Sequence, residues 1–262
     1  MSTASINGIT LHYEVHGSGE PLLLIAGYTC DSTMWGGILE KLTKQFQVII
    51  FDNRGVGRSD APSSAYSIEM MANDALGLLD KLGLKQAHVL GHSMGSAIAQ
   101  TLAYQHPERV KKLILCNPLI KFIPAGKLAF RAILNIRKAG ADVRTLTELS
   151  APWVFSNGLL ADPKNVDDLV AFNQNHPYPQ SVAGQDGQFH ALENFDSSAW
   201  FHKIAVPTLI SGGEEDIITP LSEAKKLANG IRQSQLLPMP GAHVQVLEIP
   251  NAFSDMILKF LH

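Results

Sequence analysis

The chain is poor in the features that mark several large classes of protein. Its 262 residues include only two cysteines, Cys30 and Cys116, too few for a disulfide framework or a cysteine-based zinc site. Its apolar runs all fall short of the roughly 18 residues that a membrane span needs. A formal net charge of −3 leaves no basic excess for nucleic acid or an anionic membrane. The first residues also lack the pattern of a signal peptide, so we expect a cytoplasmic protein.

Complete phosphate-binding motifs are also missing. The segment FDNRGVGRSD (51–60) contains two glycines, but it lacks the lysine of a P-loop and the third glycine of a dinucleotide fingerprint. We therefore interpret it as a structural turn with an arginine-centred network. The sequence predicts neither a cofactor nor a metal.

Short apolar runs alternate with helical patterns along most of the chain. Asn7-Gly8 is a strong hairpin signal near the start. The later runs are continuous, as in strands buried on both faces. These features predict an α/β fold: a mostly parallel twisted sheet of about eight strands with helices on both faces. The runs are LLLIAG (22–27), QVIIFD (47–52), AHVLGH (87–92), KLILCN (112–117), VPTLISGG (206–213) and QLLPMPG (235–241).

One long stretch interrupts this alternation. Residues 119–204 contain helix-like segments but no convincing strand. We expect a helical cap inserted into a core made of residues 1–118 and 205–262. Such a cap would cover the carboxyl ends of the strands, where ligands bind in open α/β sheets.

Residues 127–138 of this cap, KLAFRAILNIRK, form an amphipathic pattern. One face carries Lys127, Arg131 and Lys138; it is either solvated or a docking surface for an acidic acyl carrier. The opposite, apolar face consists of Leu128, Ala129, Phe130, Ala132, Ile133 and Ile136. We expect that face to roof a substrate pocket. The candidate wall residues are Phe130, Trp153 and Phe155.

Residues 89–97 read VLGHSMGSA and place Ser93 between two glycines. A predicted strand precedes it and a predicted helix follows, which is the setting of a nucleophile elbow. The Met94 N–H would then lie at a helix N-terminus, where it can stabilise negative charge. A serine at an ordinary tight turn would give the same pattern, so other catalytic groups must support the assignment.

Six stretches in register resemble the α/β-hydrolase fold family, and the resemblance covers nearly the whole chain. Within this family the chain resembles esterases, 3-oxoadipate enol-lactonases and esterases that cleave a pimeloyl methyl ester on acyl carrier protein. The stretches are LLLIAGYTCDSTMW (22–35), FDNRGVGRSD (51–60), GHSMGSAIAQ (91–100), HPERVKKLILCN (106–117), GGEEDIITP (212–220) and PGAHVQVLEIP (240–250).

The resemblance implies a catalytic triad of Ser93, Asp216 and His243, in the family's chain order. His92 is interpreted as a structural residue of the elbow. Glu214 and Glu215 share the loop with Asp216, but Asp216 has the family's spacing from Gly213.

The resemblance also implies an oxyanion hole formed by the backbone N–H groups of Tyr28 and Met94. Many relatives have His-Gly where this chain has Ala26-Gly27. The anchoring of that loop is therefore left open.

These residues favour a hydrolase that cleaves a carboxylic ester of small or medium acyl size through an acyl-enzyme. An enol-lactone or a carrier-bound methyl ester is the alternative substrate. A receptor that only binds a ligand is a further alternative, which an intact triad disfavours.

Overall fold

The computed structural model describes residues 2–262, which form eight strands and eleven α-helices. The strands are β1 (Ser2–Ile6), β2 (Ile9–His16), β3 (Glu20–Ile25), β4 (Phe46–Phe51), β5 (Ala87–His92), β6 (Val110–Cys116), β7 (Thr208–Gly213) and β8 (Ser234–Met239). The helices are α1 (Gly36–Leu42), α2 (Ile68–Lys81), α3 (Met94–Gln105), α4 (Pro124–Lys138), α5 (Val143–Val154), α6 (Asn157–Leu160), α7 (Pro163–Gln174), α8 (Val182–Glu193), α9 (Leu221–Gly230), α10 (Gln245–Glu248) and α11 (Pro250–Leu261).

The strands form a single sheet in the order β1-β2-β4-β3-β5-β6-β7-β8. Strands β3 to β8 run parallel, and β2 joins antiparallel to β4. Asn7 and Gly8 turn the β1–β2 hairpin with φ values of 48° and 79°, which suits the twist of the strands. The prediction of a mostly parallel, roughly eight-stranded sheet with helices is confirmed.

Both faces of the sheet are covered, which explains the continuous apolar runs. In β3, Leu23 and Ile25 belong to a core layer shared with α2, α3 and α9. Leu22 and Leu24 point to the other layer, shared with α1 and α11. Because successive side chains alternate between the faces, a strand buried on both sides is apolar at every position.

Helices α4 to α8 lie between β6 and β7 in the chain, and we call residues 119–204 the cap. Within these residues, all of which the structure describes, β-type pairing is limited to an isolated bridge between Lys121 and Asp196. The division of the chain into a core of residues 1–118 and 205–262 and a cap of residues 119–204 stays a prediction. None of the helices in residues 2–262 has the length and apolarity that crossing a bilayer requires.

The expectation for the apolar face of α4 is wrong in part. Leu128 is 71% exposed and Ile136 is 38% exposed, so neither roofs a pocket. The inward strip is narrower: Gly126 and Leu134 are buried and Phe130 is half-buried. These residues recur every fourth position and form one stripe of the helix. A helix lying on a surface buries one such stripe and leaves flanking apolar residues in solvent.

The three cations of the basic face of α4 each bond to α8, although the side chains of Arg131 and Lys138 stay 54% and 42% exposed. Lys127 donates to the backbone carbonyl of Glu193, and Arg131 pairs with the Glu193 carboxylate. Lys138 Nζ lies 2.7 Å from Asp186 Oδ1. These three cations therefore hold two cap helices together.

Candidate active site

Ser93 stands at the sharp turn between β5 and α3. Its backbone has φ 55° and ψ −120°, a strained conformation for a residue other than glycine. The turn is this tight because the flanking glycines allow close approach. A Cβ on Gly91 would lie 2.1 Å from the Gly95 carbonyl oxygen, and one on Gly95 would lie 2.1 Å from the Ile25 carbonyl oxygen. The turn presents the Ser93 side chain at the carboxyl edge of the sheet.

Three residues named from the sequence meet at this edge. Ser93 Oγ lies 2.8 Å from His243 Nε2, and His243 Nδ1 lies 2.7 Å from Asp216 Oδ2. All three side chains are buried. A carboxylate on Nδ1 fixes the imidazole tautomer that leaves Nε2 free to accept a proton from the serine. The arrangement can activate Ser93 as a nucleophile.

The Asp216 carboxylate accepts several hydrogen bonds besides the one from His243. Oδ1 accepts from the N–H groups of Ile218 and Thr219, each at 2.9 Å. Oδ2 lies 2.7 Å from Thr219 Oγ1 and 2.8 Å from Asn117 Nδ2. Burial by itself raises the pKa of Asp216, but the charge of His243 and these hydrogen bonds lower it to about 2. Asp216 therefore stays ionised across the neutral range.

The other acidic and basic residues close in sequence to Asp216 and Ser93 lie in different environments. Glu214 and Glu215 are exposed to solvent. His92 is buried, and its Nε2 donates to the backbone oxygen of His243 at 2.7 Å. Burial and the charge of His243 lower the pKa of His92 to about 3, so His92 is neutral near pH 7. It supports the loop of His243, and the imidazole that bonds to Ser93 Oγ is that of His243.

The backbone of His243 is also held by the cap. Its N–H donates to the carbonyl oxygen of Val154 at 3.0 Å, in the last turn of α5. Nearby, the N–H of Ser156 donates to Glu248 Oε1 at 3.1 Å. The backbone of His243 is thus held at its carbonyl oxygen by His92 of the elbow and at its N–H by Val154 of the cap.

The two backbone N–H groups predicted to form an oxyanion hole belong to Met94 and Tyr28, whose turns adjoin Ser93, and their role stays a prediction. Met94 begins α3 directly after Ser93, and Tyr28 lies in a turn closed by the Cys30 N–H to Gly27 oxygen bond at 3.3 Å. A Cβ on Gly27 would lie 3.1 Å from Ser93 Cβ, so this turn packs against the serine. Among residues 2–262, neither the Met94 nor the Tyr28 N–H has a hydrogen-bond partner. Both donors are available to an anionic oxygen.

Aromatic rings of the cap lie next to the ring of Tyr28. The Phe130 ring centroid lies 6.1 Å from that of Tyr28 and 6.3 Å from that of Trp153. Phe189 of α8, which the sequence reasoning missed, lies 6.2 Å from Tyr28. Phe155 is half-buried just after α5. That Phe130, Trp153 and Phe155 line a substrate pocket stays a prediction.

Several supporting residues were not identified from the sequence. Asn117 could have been found, because it directly follows a strand run at the same sheet edge as Ser93. Thr219 could have been found from its position three residues after Asp216. Val154 acts through its backbone, which leaves no side-chain signal. Gln188 of α8 bonds to Thr29, 159 positions away in the chain.

Comparisons with known proteins agree with this architecture. A family model of the alpha/beta hydrolase fold matches residues 20–250, and the chain belongs to that family. It is 31% identical over 256 residues to a protein of Azorhizobium caulinodans provisionally named carbamate hydrolase RutD, covering 95% of this chain and 94% of that protein. A protein of Caulobacter sp. with the same provisional name is 30% identical over 272 residues, covering 100% and 98%.

Solved structures give the same result. An enol-lactonase from Burkholderia xenovorans has a TM-score of 0.89 at 25% identity, covering 99% of each chain. A thermophilic esterase from Thermogutta terrifontis has a TM-score of 0.86 at 27% identity, covering 99% of this chain and 97% of that one. The family and these relatives identify the protein as a hydrolase.

Proposed function

We propose that the protein hydrolyses carboxylic esters of small or medium acyl groups through an acyl-enzyme on Ser93. The observation that carries this proposal is the unbroken line of hydrogen bonds from Asp216 through His243 to Ser93 Oγ. The strained backbone of Ser93 adds to it, because such strain concentrates at functional sites.

In the first half-reaction, His243 Nε2 takes the proton of Ser93 Oγ while Oγ attacks the ester carbonyl. The tetrahedral intermediate places its negative oxygen between the N–H groups of Met94 and Tyr28. His243 then gives its proton to the departing alkoxide, which leaves as the alcohol. The acyl group remains on Ser93.

In the second half-reaction, His243 takes a proton from water, and the resulting hydroxide attacks the acyl-enzyme carbonyl. Collapse of the second tetrahedral intermediate breaks the bond to Ser93 Oγ, which regains a proton from His243. The carboxylic acid is the product. Asp216 remains a carboxylate throughout and stabilises the imidazolium that forms twice per cycle.

The cap favours a free ester over a carrier-bound one. Lys127, Arg131 and Lys138, the cations proposed to dock an acidic carrier, are bonded to α8. A carrier would have to compete with these internal bonds. A lactone is a cyclic ester and needs the same groups, so the enol-lactone alternative stands beside the open-chain ester.

A carbamate is the second candidate substrate class. It is supported by the full-length similarity to proteins provisionally named carbamate hydrolases. The carbonyl of a carbamate would be attacked by the same serine. Rates with p-nitrophenyl butyrate, a γ-lactone and a p-nitrophenyl carbamate, compared as kcat/KM, rank the three classes.

The first test of the proposal is covalent labelling of the serine. A fluorophosphonate probe should label the wild type and leave Ser93→Ala unlabelled, with p-nitrophenyl butyrate hydrolysis lost in that variant. Ser96→Ala is the matched control, since Ser96 is buried three residues further on and its hydroxyl has no partner among residues 2–262. Labelling of Ser93→Ala, or none of the wild type, would overturn the proposed mechanism.

A further inference from the structure

The turn that carries the Tyr28 N–H adopts a backbone conformation that its own sequence does not favour. Thr29 has φ 63°, in the left-handed region. A β-branched residue is an outlier there, and the conformation is strained. Within the turn, the bond from the Cys30 N–H to the Gly27 oxygen is long at 3.3 Å, and the exposed Thr29 hydroxyl donates to the Tyr28 carbonyl oxygen at 2.6 Å. Neither bond uses the Thr29 N–H, whose partner comes from outside the turn.

That contact comes from Gln188 of the cap. Its side chain is fully buried, and its Oε1 accepts the Thr29 N–H at 3.0 Å. Its Nε2 donates to the Arg54 carbonyl oxygen at 2.9 Å. One amide group therefore bridges the turn that follows β3 and the loop that follows β4.

The orientation of the Gln188 amide is fixed by a second glutamine. Gln180 Nε2 donates to Gln188 Oε1 at 3.1 Å and to the Gly55 carbonyl oxygen at 2.8 Å. A reversed Gln188 amide would direct its N–H groups at the donors of Thr29 and Gln180. The network therefore allows one orientation, with the oxygen toward Thr29.

The loop on which Gln188 rests is itself rigid. Arg54 is buried and binds the Asp74 carboxylate through two nitrogens, at 2.5 and 2.7 Å. Its neighbour Asn53 donates from Nδ2 to the Ala26 carbonyl oxygen at 3.0 Å. The segment FDNRGVGRSD thus supports the Ala26-Gly27 strand end directly, and it supports Thr29 through Gln188.

We propose that Gln188 is a positioning residue for the oxyanion hole. The Thr29 N–H belongs to the peptide that joins Tyr28 to Thr29. By holding this peptide, Gln188 fixes the position of Tyr28 and of the Tyr28 N–H beside Ser93. The inference rests on the proposed function, since it needs an anionic intermediate on Ser93. It also answers how this loop is anchored without a histidine at position 26: Asn53 of the core holds Ala26, and Gln188 of the cap holds Thr29.

The variant that tests this role is Gln188→Met, which keeps the length of the side chain and removes all three hydrogen bonds of the amide, with Thr29, Gln180 and Arg54. We expect kcat for p-nitrophenyl butyrate to fall about 10- to 100-fold, as for a misplaced catalytic group, with KM changed less than threefold. The inhibition constant of phenylboronic acid, whose tetrahedral adduct on the serine resembles the intermediate, should rise by a similar factor. The shape of the pH profile of kcat should stay the same, because the triad is untouched.

Gln100→Met is the matched control for a purely structural effect. Gln100 is equally buried and makes two comparable hydrogen bonds, to the Leu119 carbonyl oxygen and with Ser197 Oγ, away from the turn. We expect its loss to lower the melting temperature while kcat stays within about threefold of wild type. Equal losses of kcat in the two variants, or an unchanged boronate constant in Gln188→Met, would overturn the positioning role.

If Gln188→Met does not fold, Gln180→Met provides the second test, since Gln180 is only half-buried. This variant leaves the Gln188 amide less constrained. We expect kcat to fall and the inhibition constant of phenylboronic acid to rise by the same factor, which should be smaller than in Gln188→Met. No change in either would contradict the inference. If Ser93→Ala kept its activity, the proposed function itself would fail, whatever the glutamine variants showed.

Discussion

At the scale of single residues, Asn117 is, after His243 and Thr219, one of the groups that keep the Asp216 carboxylate ionised. It follows β6 with φ 49°, a conformation that asparagine and aspartate tolerate better than most residues. Its Nδ2 donates to Asp216 Oδ2 at 2.8 Å and approaches the Ala242 carbonyl oxygen at 3.3 Å. The backbone would accept an aspartate here, but only the neutral amide donates to Asp216 at every pH.

Asn117→Asp therefore tests the electrostatics with little change in shape. Two carboxylates about 3 Å apart cannot both ionise easily, so one pKa of the pair should rise well above its usual range. While the pair holds a proton, the new side chain can still donate to Asp216, and activity should be close to wild type. As pH rises and that proton leaves, repulsion should displace the carboxylate from His243. The ratio of variant to wild-type kcat/KM should fall steadily from pH 5 to pH 9.

The measurement is that ratio with p-nitrophenyl butyrate, corrected for spontaneous hydrolysis at each pH. Asn117→Ser, which keeps a neutral donor, is the control and should show a ratio that does not depend on pH. A flat ratio for Asn117→Asp would mean that the amide is not needed to hold Asp216.

At the scale of elements, the elbow depends on how closely α3 approaches β3. Gly95→Ala would place a methyl group 2.1 Å from the Ile25 carbonyl oxygen and 2.7 Å from that of Ala26. Because these are backbone atoms of a central strand, the helix has to shift. We expect a loss of about 1–3 kcal/mol in the free energy of unfolding, as in other overpacked cores. Activity should fall further, because Met94 and Ser93 move with the helix.

Urea denaturation measures this change, and Gly36→Ala is the matched control. Gly36 begins α1 with φ −50°, and a Cβ there would have no neighbour within 4 Å. Alanine is therefore compatible with its space and backbone, and it should leave stability unchanged or raise it by up to about 1 kcal/mol. An unchanged midpoint for Gly95→Ala would show that the approach of α3 to β3 is not restrictive.

The elements also show where sequence reasoning succeeds and where it stops. The strands were predicted because burial on both faces leaves continuous apolar runs such as KLILCN, and Ser93 was found because its glycines mark the turn between strand and helix. The apolar face of α4 was misjudged because amphipathicity does not say how wide a stripe the neighbouring helix covers. Gln188 was missed because a buried glutamine has no pattern, and its partner is distant in the chain.

At the scale of the whole molecule, the site joins the core and the cap. Ser93, Asp216 and His243 follow three parallel strands of the sheet and meet at its carboxyl edge. The cap adds the Val154 oxygen to the backbone of His243 and the Gln188 amide to the turn of Tyr28. If the proposed roles of His243 and the Tyr28 N–H hold, a shift of the cap would displace both groups, which would couple the position of the cap to the catalytic geometry.

The protonation of His92 makes the stability of the whole chain depend on pH. It is buried, and burial together with the charge of His243 lowers its pKa to about 3, against about 6.5 in an unfolded chain. Between these two values the unfolded state binds a proton that the folded state does not. Stability contributed by the neutral His92 is therefore complete above about pH 6.5 and is lost as pH falls toward 3.

The slope for one such group is about 1.4 kcal/mol per pH unit inside that window. From pH 7.5 to pH 5 the wild type should lose about 2 kcal/mol of unfolding free energy through His92 alone, measured by urea denaturation at each pH. In His92→Gln, which can still donate to the His243 oxygen, this loss should disappear, even though the variant is less stable at pH 7.5. His202→Gln changes an exposed histidine and should keep the wild-type slope. If the unfolding free energies of wild type and His92→Gln changed in parallel with pH, His92 would take up its proton in the folded protein. That result would contradict the prediction that burial keeps His92 neutral.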